Sequence, residues 1–211
     1  MIIAVDGPVA AGKGTLARRL AAELGFAYLE TGALYRAVGL AVLRAGGDPA
    51  DEAAALQAVA RLQAQDLDDP ALREERTGNA ASIVAALPPV RAALLDYQRS
   101  FAVHPPEGRP GAVLDGRDIG TVVCPQAEVK LFVTASPEER ARRRHSELVG
   151  RGETVSLQSV LDDLRERDAR DAARAVAPLK PADDAHLLDT TDLDIEAAFV
   201  AACAIVAQQR A

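Results

Sequence analysis

The chain has 211 residues with 24 Lys+Arg against 31 Asp+Glu, and its net charge of −7 argues against a general nucleic-acid binder, whose footprint is a basic face. With 49% apolar and 26% charged residues it can bury one substantial core, so a single domain is expected. No run approaches the roughly 20 apolar residues of a membrane helix, and Met1-Ile2-Ile3-Ala4-Val5 meets Asp6 too early for a signal peptide; no membrane partner and a cytoplasmic location are expected. Cys124 and Cys203 can build neither a disulfide framework nor a four-ligand zinc site. Lys13, Lys130 and Lys180 are the only lysines, and all other basic residues are arginines. Arginine forks suit phosphate contacts, but composition bias explains their abundance more simply, so their positions must decide.

In chain order, Met1 to Val5 reads as a buried parallel strand running into Asp6-Gly7-Pro8. Gly12 to Leu24 reads as a helix with Leu16, Leu20 and Leu24 at four-residue spacing and Gly25 as its stop. Phe26 to Leu29 suggests a second strand, and Thr31 can cap a helix running to about Arg44. From Asp51 to Phe101 the pattern is helical, with breaks expected near Asp68-Asp69-Pro70, Thr77-Gly78-Asn79 and Pro88-Pro89. Strands are expected at Ala112-Val113-Leu114, Val129 to Val133 and His186 to Asp189. Ser136-Pro137-Glu138-Glu139 spells a capping box before a helix ending near Leu148. Gly150-Arg151-Gly152 then interrupts, and helices follow from Ser156 to Ala175 and from Ile195 to Gln209. Alternating strands and helices of this kind predict an α/β fold with five parallel strands between helical layers.

Gly7-Pro8-Val9-Ala10-Ala11-Gly12-Lys13-Gly14-Thr15 follows a strand and opens a helix, the context a phosphate-binding loop requires. Glycines let backbone N–H groups converge on phosphate oxygens, the helix terminus adds positive potential, and Lys13 supplies a mobile charge. The strict motif wants Ser or Thr directly after the lysine, where Gly14 stands, so any hydroxyl role passes to Thr15. That spelling resembles nucleoside monophosphate kinases more than GTPases, and no Asn-Lys-x-Asp guanine-reading sequence is present.

Four polar clusters remain. Thr31-Gly32-Ala33-Leu34-Tyr35-Arg36 sits at a strand's carboxyl end, facing the cleft where open α/β sheets bind ligands, although a plain helix cap with a solvated arginine explains it equally well by itself. Asp115-Gly116-Arg117-Asp118-Ile119-Gly120-Thr121 follows another strand; Asp115 is placed to orient a metal through water, Arg117 to grip phosphate and Asp118 to accept from a base. Arg140, Arg143 and Arg144 share a helix face and suit a lid over a transferring phosphoryl group; a solvated face balanced by Glu138 and Glu139 is the alternative. Arg167, Asp171 and Arg174 form one polar stripe, which fits either an exposed ion-paired helix or sugar, base and phosphate recognition.

Taken with Asn79-Ala80-Ala81-Ser82, Pro89-Val90-Arg91, Glu166-Arg167-Asp168 and Arg174-Ala175-Val176-Ala177-Pro178-Leu179, these segments cover most of the chain in order and resemble the bacterial cytidylate kinases. The resemblance implies a three-layer phosphate-loop fold with a helical acceptor-binding insert and a short lid. It implies magnesium-dependent phosphoryl transfer from ATP to CMP or dCMP. By motif, Gly7, Pro8, Val9, Ala10, Ala11, Gly12, Lys13, Gly14 and Thr15 would bind ATP, with Lys13, Arg117, Arg143 and Arg144 catalytic. Ser82, Arg91, Asp118 and Arg174 would read cytosine, Thr31, Arg36 and Arg117 would face the acceptor and its phosphate, and Arg167 and Asp171 would hold the sugar. Magnesium would be held through phosphates and water, with Thr15 and Asp115 as candidate partners. The implied division is a core of 1–30, 110–145 and 157–211, an acceptor-binding part at 31–109 and a lid at 146–156, in a monomer. Two departures stand out: the stretch from Arg61 to Thr77 is shorter than the family's sheet-bearing insert and reads as helix and loop, and Cys124 replaces an aromatic residue. A kinase for another small acceptor, or a regulatory module that binds ATP without fast chemistry, are the rival readings.

Overall fold

The computed structural model describes residues 1–209. Five strands, β1 (Ile2–Asp6), β2 (Ala27–Glu30), β3 (Ala112–Gly116), β4 (Val129–Thr134) and β5 (His186–Asp189), form one sheet in the order β2-β3-β1-β4-β5. Every neighbouring pair is parallel, as the alternation of strands and helices predicts. The helices are α1 (Lys13–Leu24), α2 (Thr31–Arg44), α3 (Glu52–Arg61), α4 (Glu75–Val84), α5 (Pro88–Val103), α6 (Pro137–Gly150), α7 (Leu157–Ala172) and α8 (Ile195–Gln208).

Alternation along β1 sets the layers. Ile3 and Val5 face a core shared with Leu16 and Leu20 of α1 and Ala202 and Val206 of α8. Ala4 faces the other side, where Leu29 and Leu114 pack with Ala102 of α5. The helical segment between β2 and β3 carries its own core of Leu34, Val38, Ala55, Val84, Val90 and Leu94. No strand occurs within it; the shortened stretch folds instead as two 3₁₀ turns, Ala64–Asp68 and Pro70–Arg73. Helices α6 and α7 make a further small core with Val9 of the loop after β1.

Four local expectations need correction. Thr31 is the first residue of α2 and caps nothing; its hydroxyl donates to the Asp115 carbonyl at 2.7 Å instead. The second strand is shifted one residue onward, so Glu30 lies at the carboxyl edge. Half of the capping box forms: Glu139 N–H donates to Ser136 Oγ at 3.2 Å, but the Glu139 carboxylate goes to Arg142 and Arg143 and the Ser136 N–H to Thr191. Thr77-Gly78-Asn79 does not break the chain but lies inside α4. A β-carbon at Gly78 would stand 3.4 Å from the Arg167 guanidinium, in ordinary van der Waals contact. Among the described residues no single helix is long and apolar enough to cross a membrane.

The tightest backbone approach is at Gly7, whose φ of 149° suits glycine and whose β-carbon would fall 1.9 Å from the Val133 carbonyl oxygen. Gly7→Ala is therefore expected to lose about 1–3 kcal/mol from the backbone conformation alone, plus whatever the displacement of β4 costs. Equilibrium urea unfolding measures this, and an unchanged midpoint would refute it.

Candidate active site

The loop between β1 and α1 turns on Gly7, Ala10 at φ 60° and Gly12 at φ 86°, which aims the first turn of α1 at the carboxyl edge of the sheet. Lys13 opens that helix, is buried, and donates to the Pro8 carbonyl at 3.3 Å. Burial, reinforced by Arg117 nearby and only partly opposed by Asp115, lowers its pKa to about 7. Asp115, the penultimate residue of β3, is buried near Lys13; desolvation raises its carboxyl even though Lys13 opposes the shift. Tyr28 donates to Asp115 Oδ2 at 2.8 Å. A β-carbon at Gly14 would come within 3.2 Å of that same oxygen, so the carboxylate fills the space a larger residue would need there. Thr15 is exposed to solvent.

All nine acceptor residues named from the sequence line one cleft of about 470 Å³ next to this loop: Thr31, Arg36, Ser82, Arg91, Arg117, Asp118, Arg167, Asp171 and Arg174. Tyr35 and Gly78 also line it. The polar groups pair in two sets. Arg91 is bonded to Asp118, donates to the Ala85 carbonyl and lies 5.6 Å from the Tyr35 ring centroid. Asp171 gathers Ser82 Oγ at 3.2 Å, Arg117 Nε at 3.0 Å and the Arg174 guanidinium. Burial alone would raise the Asp171 carboxyl, but Arg117 and Arg174 more than offset it and hold it below the usual range. Five arginines surround a cleft with two aspartates of its own, Asp118 and Asp171, which leaves net positive potential for a small dianion.

The three arginines expected to share one lid face diverge. Arg140 is buried, donating to the Val9 carbonyl at 3.2 Å and to Asp168 at 2.6 Å, so it supports the phosphate loop from behind. Arg143 reaches Thr190, donating to its carbonyl at 2.6 Å, and Thr190 Oγ1 lies 3.2 Å from the Ala11 carbonyl. Arg144 turns the other way, to Glu75 of α4, which also takes Arg167 at 3.4 Å. The lid expected at 146–156 begins inside α6, and Arg151 donates to the Arg73 carbonyl at 3.0 Å. Glu75, Tyr28 and Asp6 escaped the sequence reading because each acts on partners roughly 70 or more positions away.

Among the described residues no group of three or more His, Cys, Asp or Glu can hold a metal unaided. Asp115, with one oxygen already taken by Tyr28, offers a single carboxylate, a donor set that fits a hard cation brought in on phosphate oxygens and keeping its water.

Asp171→Ala would strand Arg117 and Arg174 beside a lost counter-charge. A loss of about 1–3 kcal/mol is expected, with solvent in the cleft keeping it below the cost of a sealed ion pair. Urea unfolding without nucleotide tests this, and equal stability of the two proteins would overturn the pairing.

The cytidylate kinase family model matches residues 3–208. A cytidylate kinase of Rhodospirillum rubrum is 61% identical over 209 residues, covering 99% of this chain and 98% of the relative. One from Xanthobacter autotrophicus is 62% identical over 211 residues, covering 100% and 99%. Another, from a Methylobacterium species, is 65% identical over 206 residues, covering 98% and 96%. An uncharacterized protein of Eubacterium ventriosum shares the fold, at a TM-score of 0.56 and 13% identity, with 100% of this chain and 99% of that one covered. A five-stranded parallel sheet behind a phosphate loop, matched from end to end by such relatives, makes the chain a member of the cytidylate kinase family and a phosphotransferase.

Proposed function

We propose that this enzyme transfers the γ-phosphoryl group of ATP to CMP and dCMP, giving ADP with CDP or dCDP. The observation that carries this reading is the single cleft beside the phosphate loop, where all nine acceptor residues meet. Cytosine presents a carbonyl and a ring nitrogen as acceptors and an amino group as donor. Asp118 suits the amino group, and Arg91, Ser82 and Arg174 suit the acceptors. Uracil would face the Asp118 carboxylate with an oxygen, setting two acceptors against each other with no proton between them, which is the strongest form of rejection. Arg36 and Arg117 bind the acceptor's phosphate, while Arg167 and Asp171 take the sugar hydroxyls.

Catalysis on this reading is positioning plus charge stabilisation, since phosphoryl transfer between bound nucleotides requires no protein nucleophile. Gly7 to Thr15 hold the triphosphate through backbone N–H groups. Lys13 and Arg117 neutralise charge spread over the transferred group, and Arg143 and Arg144 join them by exchanging their present partners Thr190 and Glu75 for phosphate oxygens. Magnesium, held by the phosphates with Asp115 and Thr15 as its protein partners through water, supplies further neutralisation of the phosphate oxygens when bound. Arg140 keeps the loop in place by holding the Val9 carbonyl. A cytoplasmic monomer completes the reading.

The decisive assay is ADP formation with CMP, dCMP, UMP, AMP, GMP and shikimate, alongside a control without acceptor. Preference for CMP and dCMP is expected. Preference for another acceptor would discard the cytosine assignment, and no turnover with any, despite ATP binding, would favour a regulatory module. Lys13→Met should keep the fold and lower kcat by roughly 10²–10³; a folded variant with wild-type turnover would refute the mechanism.

The depressed pKa of Lys13 adds a pH signature. With a value of about 7 in the free protein, the amine is largely neutral at about pH 8, and a bound polyanion favours its ammonium form. Magnesium-free ATP binding is therefore expected to take up a proton at about pH 8 but not at about pH 6. Calorimetry in buffers of different ionisation enthalpy reads this directly. Uptake that persists in Lys13→Met would assign the proton elsewhere.

A further inference from the structure

Asp6 is the last residue of β1 and directly precedes Gly7 of the phosphate loop, yet its side chain turns away from that loop. Both carboxylate oxygens accept backbone N–H groups from the far side of β3: Ile119 to Oδ1 at 2.8 Å and Gly120 to Oδ2 at 2.7 Å. These two residues open a five-residue π turn, Ile119–Val123, and Asp118 is its flanking residue at φ −145°, ψ 24°. Asp118 is the buried carboxylate that holds Arg91 in the acceptor cleft. The turn has little freedom of its own. Ile119 packs where a β-carbon of Gly116 would stand, at 2.7 Å, and a β-carbon at Gly120 would lie 3.1 Å from Lys130 and 3.4 Å from Asp6 Oδ2.

From this geometry we infer that Asp6 is a specificity-determining positioning residue: by clamping the two amides after Asp118, it fixes the carboxylate that tells cytosine from uracil. The inference rests on the cytosine assignment proposed above. Its physical basis is that one buried carboxylate accepting two backbone N–H groups defines both the position and the tilt of the peptide planes it holds. Burial pushes that carboxyl up to about 7, with the two N–H groups opposing the shift, so the clamp is complete above that pH. A neutral amide in the same place can accept only one N–H and meets the other with its own N–H. Asp6→Asn therefore keeps the volume and breaks the bidentate clamp. Because the clamp lies on the acceptor side of β1, acceptor recognition should suffer more than ATP binding. A residue serving only general stability would lower both together.

The test measures kcat and KM of the magnesium-supplemented enzyme for CMP and UMP at saturating ATP, and KM for ATP at saturating CMP, in wild type and Asp6→Asn. The expected result is a rise of roughly tenfold or more in CMP KM and a matching fall in the CMP-over-UMP ratio, the size of one lost charge-assisted bond. The ATP KM should stay within about threefold. An unchanged CMP-over-UMP ratio, or equal loss of ATP and CMP affinity, overturns the inference. A wild-type enzyme that uses UMP as readily as CMP instead overturns the cytosine assignment, so the two failures are distinguishable. Should Asp6→Asn fail to fold, Gly120→Ala, whose β-carbon would crowd Lys130 at 3.1 Å and touch Asp6 Oδ2 at 3.4 Å, perturbs the same turn and is judged by the same criteria.

Discussion

Charge compensation at the carboxyl edge of a parallel sheet is the constraint on which this structure depends. Strand register places Glu30, Asp115 and Asp6 at the ends of three adjacent strands, with Glu30 opposite Asp115 and Asp6 opposite Gly116. Burying carboxylates costs several kcal/mol each unless donors and cations meet them. Asp6 and Asp115 are buried and Glu30 partly so, and each recruits its own partners. Asp6 takes two amides, Asp115 takes Tyr28 and faces Lys13, and Glu30 pairs with Arg36 at 3.5 Å. The same compensation that permits the edge to be buried arranges the groups that bind phosphate.

The acceptor side extends this logic outward. The segment between β2 and β3 carries an apolar core of its own, and polar side chains tie it to the rest of the protein. Asp171 of α7 draws Ser82 of α4 and Arg117 of the β3 loop to one point, and Glu75 of α4 draws Arg144 and Arg167. The cleft is thus built from five pieces of chain: α2, α4 and α5 are packed together through their apolar core, and ion pairs and hydrogen bonds tie the loop after β3 and the end of α7 to them. Such contacts are directional, which suits a site that must distinguish bases by the placement of donors and acceptors. The apolar cores fill space and leave that geometry to the charged residues.

Much of this was legible in the sequence because the signals are local. The apolar run before Asp6, the glycine spacing around Lys13 and the polar heptapeptide after Leu114 each specify a strand end and a loop within a few residues. Arg167 and Asp171 follow from helical period, whereas Arg174, expected on the same helix, lies two residues past its end at Ala172, and all three line the cleft. Where local rules misled, a distant partner prevailed. Thr31 gives up its cap for the Asp115 carbonyl, and Gly78 stays helical inside α4, whose Ser82 and Glu75 bond to Asp171, Arg144 and Arg167.

Sequence by itself determined the α/β alternation and the phosphate loop, since helix and strand periods and loop glycines act over a few positions, while the acceptor residues came from the family resemblance. Tertiary structure alone decided which arginine meets which carboxylate. Arg140, Arg143 and Arg144 share a helical face by spacing, yet they serve Val9, Thr190 and Glu75, and Asp6 reaches a turn 113 positions away. A long flexible side chain can find any opposite charge within its reach, so its partner is settled only when the fold brings distant strands and helices side by side.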